Sequence, residues 1–347
     1  MDGVMYGVRK LVSDFDLSAR ERLLFSRGLS VPSGEDVIFG AFGAFEGGER
    51  LVATGSLAGD IIQGIAVADG FEGDGLSAAV ISRLIEYASE HGIWRLSLFT
   101  KPDAAKRFAM LGFRTVAVTN LSVLMEWGGP GIDEFLRGLA AAASGTPAAC
   151  VVANCNPFTL GHRYLIERAA SACDALYVIA VRDDRSAFPF DVRFRLLQEG
   201  TADIPNVAVM SGGDYVVSST TFPSYFTRDE ELAPAHAELD LEIFASRIAP
   251  ALSISVRCVG TEPYSEVTRI YNETMKRVLP ARGIRVEEIE RLEIGGEAVS
   301  ASRVRECLKK KRLSEAADYV PQCTRKFFES PEFEPVLERL LRGNNSY

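Results

Sequence analysis

Residues 148–171 read AACVVANCNPFTLGHRYLIERAAS, and the rest of the chain is organised around them. The apolar run Ala149–Ala153 predicts a short buried strand. A polar turn follows, with Asn154, Asn156 and Pro157, and then Thr159-Leu160-Gly161-His162. Leu165, Ile166, Ala169 and Ala170 then recur at helical spacing. A strand, a turn of small residues and a helix start direct backbone N–H groups and the positive end of a helix dipole at an anion. Gly161 lets backbone approach a ligand closely, and His162, on the first helical turn, can add a hydrogen bond to phosphate.

Bulk properties narrow the setting. At 347 residues, two domains are expected. The net charge is −9, divided as −4 before Pro130 and −5 from it onward, so neither part is a basic module for nucleic acid or an anionic membrane. Six cysteines (150, 155, 173, 258, 307 and 323) lack C-x-x-C pairing, which argues against a zinc cluster or a disulfide framework and fits a reducing compartment. No run of 18 apolar residues occurs, and no cleavable apolar leader is visible. A soluble, cytoplasmic protein without a protein-bound metal is the expectation.

Residues 1–127 predict a mixed-sheet domain, with strands at 37–45, 51–57, 61–67 and 94–99, helices at 17–27 and from Leu76, and a turn at Gly47-Gly48. Glu72-Gly73-Asp74-Gly75-Leu76-Ser77 leads into a helix, a place where backbone amides can seat a pyrophosphate. This order of elements, with Leu111-Gly112-Phe113 after a later helix, resembles the GCN5-related acetyltransferase fold. In that family a Gln/Arg-x-x-Gly-x-Gly/Ala loop binds the pyrophosphate of acetyl-CoA. Here Glu72 and Ser77 depart from the pattern, and a carboxylate beside a pyrophosphate is repulsive. Residues 128–147, framed by Gly, Pro and Ser, read as a linker with a short helical pattern.

From residue 148 to 347 strands alternate with helices, which predicts a Rossmann-like parallel sheet with ligands at the carboxyl ends of its strands. The loop Gly260-Thr261-Glu262-Pro263 falls at one such end. Val299-Ser300-Ala301-Ser302-Arg303-Val304-Arg305 places hydroxyls and arginines at a further helix start, the donors a triphosphate requires. Asp183-Asp184-Arg185-Ser186 and Phe188-Pro189 are weaker pocket candidates, and a polar tail is expected to close the chain. Cys155 invites a nucleophile reading, but no base adjoins it. His91 and His236, without a partner pattern, are expected at the surface.

Thr159-x-Gly161-His162 together with Ser300–Arg305 resembles the nucleotidyltransferase superfamily. Asn154-Cys155-Asn156-Pro157-Phe158-Thr159-x-Gly161-His162 is similar to the signature of the [citrate (pro-3S)-lyase] ligase family. Gly213-Asp214-Tyr215, Thr221–Phe226 and Gly260-Thr261-Glu262-Pro263 with Tyr271-Asn272 also match it. An acetyltransferase-like domain before a nucleotidyltransferase domain is that family's architecture. The resemblance implies MgATP-dependent acetylation, by acetate, of the prosthetic-group thiol on the citrate lyase acyl carrier protein. It implies catalytic roles for His162, Thr159 and Arg305. Nucleotide contacts would come from Asn156, Phe158, Gly161, Gly260, Thr261, Glu262, Ser300, Ser302 and Arg303. Another nucleotidyltransferase making a dinucleotide-type cofactor, or a non-catalytic nucleotide-binding protein, stays open at this point.

Overall fold

Nearly continuous buried runs between turns form the central strands of the first sheet. The computed structural model describes residues 6–46, 48–143, 146–182, 186–217, 232–262 and 266–342. The chain divides into two compact units, one of residues 1–135 and 220–242, the other of residues 136–219 and 243–347.

In the first unit, β1 (Tyr6–Lys10), α1 (Asp14–Ser26), β2 (Val37–Phe45), β3 (Gly48–Ala58) and β4 (Ile61–Val67) precede α2 (Leu76–Glu90). Then come β5 (Arg95–Thr100), α3 (Pro102–Ala109), β6 (Arg114–Val118) and β7 (Val123–Gly128). The sheet order is β1-β2-β3-β4-β5-β7-β6, and every neighbouring pair is antiparallel except β4 and β5. Helix α2 supplies the crossover that a parallel pair requires. Its Val80, Ile81, Leu84 and Ala88 recur on one face and are buried against the sheet, at about 1.5–3 kcal/mol for each large side chain. This is the mixed-sheet order expected from the sequence.

The parallel pairing of β4 and β5 stops after Ile62↔Leu98. A cavity of about 870 Å³ opens there, lined among others by Gln63, Phe71, Glu72, Phe99 and Arg107. The Glu72 carboxylate accepts a hydrogen bond from Gly70 N–H at 2.8 Å and lies 3.2 Å from Arg27. Hydrogen bonds from its own N–H and that of Gly70 hold its pKa below the usual carboxylate range.

Helix α4 (Ile132–Ala141) leads into the second unit, which contains β8 (Ala148–Ala153), α5 (Leu160–Ala170), β9 (Leu176–Ala180), α6 (Phe190–Glu199) and β10 (Val207–Ser211). Helix α7 (Leu232–Ile243), most of which falls in the first unit, continues through a π-helical turn into α8 (Ala249–Ala251). The remaining elements are β11 (Ile254–Gly260), α9 (Glu266–Ala281), β12 (Arg285–Ile289), the ribbon β13 (Glu293–Ile294) and β14 (Glu297–Ala298), and α10 (Ala301–Lys309). The sheet is wholly parallel, in the order β10-β9-β8-β11-β12. The order reverses between β8 and β11, so this doubly wound sheet has its ligand crevice beyond the carboxyl ends of those two strands.

Two expectations need correction. The polar tail instead forms α11 (Leu313–Ala317), α12 (Gln322–Phe328) and α13 (Phe333–Arg342). Val320, Phe327, Phe328, Phe333, Val336 and Leu340 bury their side chains in the core that also holds Phe158 and Phe188. Charges interleaved with these residues hide the stripe in a linear reading. His236 is not a surface residue, being 6% exposed among Ala235, Ala237 and Leu239 of the largely buried α7. His91 is exposed as expected. Thr221–Phe226, Asp183–Arg185 and Pro263 lie outside the described residues. Among the described residues, no helix is long and apolar enough to cross a membrane.

Candidate active site

The site lies in the second unit. Beyond β8 the chain passes through Cys155 at a φ of 52° to Phe158, and Thr159 caps α5. A buried arginine holds this turn. Arg193, on α6, donates to the carbonyls of Asn154 (2.7 Å), Val181 (2.9 Å) and Phe188 (2.9 Å). Asn156 Oδ1 accepts from Phe188 N–H at 3.1 Å. Loop carbonyls that face no strand are thereby satisfied in a dry interior.

Thr159 and His162 close on each other. Thr159 Oγ1 accepts from His162 N–H at 3.3 Å, and Thr159 N–H donates to His162 Nδ1 at 3.1 Å. This is a capping box with histidine in the place of the usual acidic or amide residue. A backbone N–H can only donate, so Nδ1 is the acceptor and the ring proton sits on Nε2. Loss of hydration, then the nearby guanidinium groups of Arg291 and Arg305, push the His162 pKa down to about 4. The imidazole is therefore neutral at physiological pH and presents one N–H donor. Thr159 is 1% exposed, with its hydroxyl committed to the cap. It orients His162.

Gly161 joins two distant segments. A Cβ there would lie 2.6 Å from the carbonyl oxygen of Val299, a backbone atom with little room to move. The glycine expected to admit a ligand instead lets α5 press against the residue preceding the Ser300 motif. Gly161→Ala should cost about 1–3 kcal/mol by overpacking, read as a lowered melting temperature with the activity falling in parallel. An unchanged melting temperature would contradict this packing role.

Ser300 caps α10 by accepting from Arg303 N–H at 3.2 Å. Arg305 donates to Asn156 O at 2.5 Å and to Ser302 Oγ at 3.1 Å, which ties the late motif to the first loop. Arg303 points elsewhere, pairing with Glu297 and lying 4.5 Å over the Tyr319 ring. Phe158, expected at the nucleotide, is fully buried, with its ring stacked 6.1 Å from that of His162. It supports the histidine from the core. Gly260 ends β11, where its carbonyl accepts from Asn272 Nδ2 at 3.3 Å. Thr261 and Glu262 hold a residue that the sequence reading missed, Arg291. Arg291 Nε donates to Thr261 O, and Nη2 lies 2.5 Å from Glu262 Oε2. Cys155 is buried, and loss of hydration pushes its thiol up to about 12, so it is no nucleophile.

Protonation of His162 and His236 sets an acid limit to stability. His162 and His236 both have folded-state pKa values near 4, below an unfolded value of about 6.5. Between those values the unfolded chain binds protons that the folded chain does not, so stability falls as pH drops from about 6.5 toward 4. Thermal melts across that window should show this fall, and His162→Gln should remove part of it. A slope unchanged in His162→Gln would contradict the depressed value.

A parallel sheet with neutral and cationic donors gathered at its reversal point makes this end of the second unit the candidate site of an α/β enzyme. Residues 148–328 match the family model described as the citrate lyase ligase C-terminal domain. A [citrate [pro-3S]-lyase] ligase of Klebsiella pneumoniae is 40% identical over 286 residues, covering 80% of this chain and 84% of that one. The Escherichia coli K12 protein of the same name is 39% identical, covering 80% and 81%. Its Haemophilus influenzae counterpart is 36% identical, covering 80% and 85%. The chain belongs to the citrate lyase ligase family.

Proposed function

We propose that the chain activates acetate with ATP and delivers the acetyl group to the prosthetic-group thiol of the citrate lyase acyl carrier protein. Family membership supports the overall reaction. In the first step an acetate oxygen attacks the α-phosphorus, and the bond to the bridging oxygen of the β-phosphate breaks, giving acetyl-adenylate and pyrophosphate. The carrier thiol then loses its proton as sulfur attacks the acetyl carbonyl, and AMP leaves.

One observation carries the site assignment: His162 and Arg305 stand at the point where the strand order reverses, tied together through the Asn156 loop and the Gly161–Val299 contact. His162 Nε2–H would donate to the α-phosphate oxygens as charge grows there. Arg305, Ser302 and the N–H groups opening α10 would bind the β- and γ-phosphates and the departing pyrophosphate. Every donor in this set suits an anion. Mg²⁺ would arrive with ATP and offset phosphate charge. Among the described residues, no group of three or more His, Cys, Asp or Glu side chains is placed to hold a metal ion.

Thr159, Phe158, Asn156, Ser300 and Gly161 act as the frame in this reading, and Arg303 braces α10. The sequence domains, 1–127 and 148–347 around the 128–147 linker, would divide carrier or arm handling from chemistry. The test is isotope exchange between pyrophosphate and ATP. Exchange that requires acetate is expected, and exchange indifferent to acetate would overturn the proposal in favour of another nucleotidyl acceptor.

A further inference from the structure

Arg291 has no place in the motifs, yet it stands on the frame of the active site. It follows the carboxyl end of β12, and its two hydrogen bonds run to Thr261 and Glu262, just beyond the carboxyl end of β11. The next residue, Leu292, accepts a hydrogen bond from Val299 N–H at 2.9 Å. Val299 is the residue whose carbonyl packs on Gly161, and His162 follows Gly161 directly. The ends of β8, β11 and β12 are thus drawn together through four linked residues.

The ion pair is expensive where it sits. Side-chain exposure is 24% for Arg291 and 9% for Glu262, so both groups have lost much of their hydration. A pair in that setting adds little net stability by itself. What it does is hold a guanidinium rigidly from two sides. Among the described residues, Nη1 donates to nothing. A planar fork fixed in this way is ready for an oxyanion, and little side-chain entropy remains to be lost when one binds.

We infer that Arg291 is a further anion-binding residue of this site, oriented by Glu262 and Thr261, and that its open Nη1 edge grips an oxyanion beside His162. The inference rests on the acetate-activating reading above and adds a residue to it. Two reactants offer the required chemistry, the carboxylate of acetate and the α-phosphate of ATP. Glu262 is then a positioning residue that acts through Arg291, in place of the nucleotide contact expected from its motif. The same guanidinium helps keep His162 neutral.

The test uses the full chain with Arg291→Gln, Glu262→Gln and the double variant. One arm measures ATP binding by calorimetry without acetate. The other measures the acetate KM in pyrophosphate exchange at saturating ATP. Arg291→Gln should weaken one arm at least tenfold, and the arm affected names the oxyanion. Glu262→Gln should weaken the same arm less, and adding it to Arg291→Gln should change that arm by less than twofold. The His162 imidazole pKa, followed by NMR in a chain with three histidines, should rise in Arg291→Gln because a neighbouring positive charge is gone. If Arg291→Gln lowers the melting temperature, Arg291→Lys replaces it, since a lysine keeps the charge but cannot reproduce both hydrogen bonds. Both arms staying within twofold of the unaltered protein, with the fold intact, overturns the inference. The ATP arm needs no acetate chemistry, so it still judges Arg291 if acetate-dependent exchange is never found.

Discussion

Replacing His162 with alanine lowers acetate-dependent ATP–pyrophosphate exchange by about 10²–10³-fold, the usual cost of losing one preset donor to a developing oxyanion. The direction follows from the tautomer. Thr159 N–H fixes Nδ1 as an acceptor, so Nε2 carries the only ring proton and is aimed by the capping box before substrate arrives. A donor already oriented in a partly dehydrated site requires no reorganisation as charge develops. Alanine removes this donor and one half of the cap, which should also cost about 1 kcal/mol of stability. Exchange and thermal melting must therefore be measured together. The expected outcome is a small drop in melting temperature beside a large loss of exchange. Exchange near that of the unaltered protein would remove His162 from the reaction.

The second large effect belongs to Arg305. Its guanidinium spans Asn156 O and Ser302 Oγ, so it braces the two motifs in addition to the phosphate contact proposed for it. Burial draws its pKa downward, but an arginine stays protonated throughout the working range. Arg305→Gln removes the charge and leaves the Asn156 carbonyl without its charged donor, for an expected loss of about 10²-fold or more in kcat/KM for ATP. Arg305→Lys keeps the charge but not the fork, and should recover about tenfold of that loss. Equal activity of the Lys and Gln variants would mean that charge contributes nothing here and that Arg305 serves only as a brace.

Much of the frame is legible in the sequence because short-range rules produce it. The apolar run before Asn154, the Thr159 cap and the Ser300 cap each announce an element boundary through one or two residues. The strand–helix alternation after residue 148 likewise predicts the parallel sheet, and the reversal between β8 and β11 places the Thr159 and Gly260 loops together. The division of labour inside the motifs is not legible. Thr159, Phe158 and Arg303 carry side chains suited to a ligand, but burial, capping and the Glu297 and Tyr319 contacts commit them elsewhere. Gly161 looks like a ligand-approach glycine until Val299, far along the chain, is seen against it. Arg291 gives no local signal, because its role depends on Glu262 and on a hydrogen bond between Leu292 and Val299. The C-terminal helices are missed for a related reason. Their apolar stripe makes sense only against the core that Phe158 and Phe188 begin.

The first unit is a mixed sheet with a cavity where β4 and β5 part. Nothing in the two-step chemistry proposed for the second unit requires acetyl-CoA, since acetate and ATP supply the activated acyl group. The account therefore stands or falls on the acyl donor. The most direct measurement incubates the protein with deacetylated citrate lyase acyl carrier protein, ATP and isotopically labelled acetate, then weighs the intact carrier and quantifies AMP. The account predicts a mass gain of one labelled acetyl group, dependent on ATP and matched by one AMP per carrier. An unlabelled gain from added acetyl-CoA, or no gain with ATP and acetate present, would contradict it.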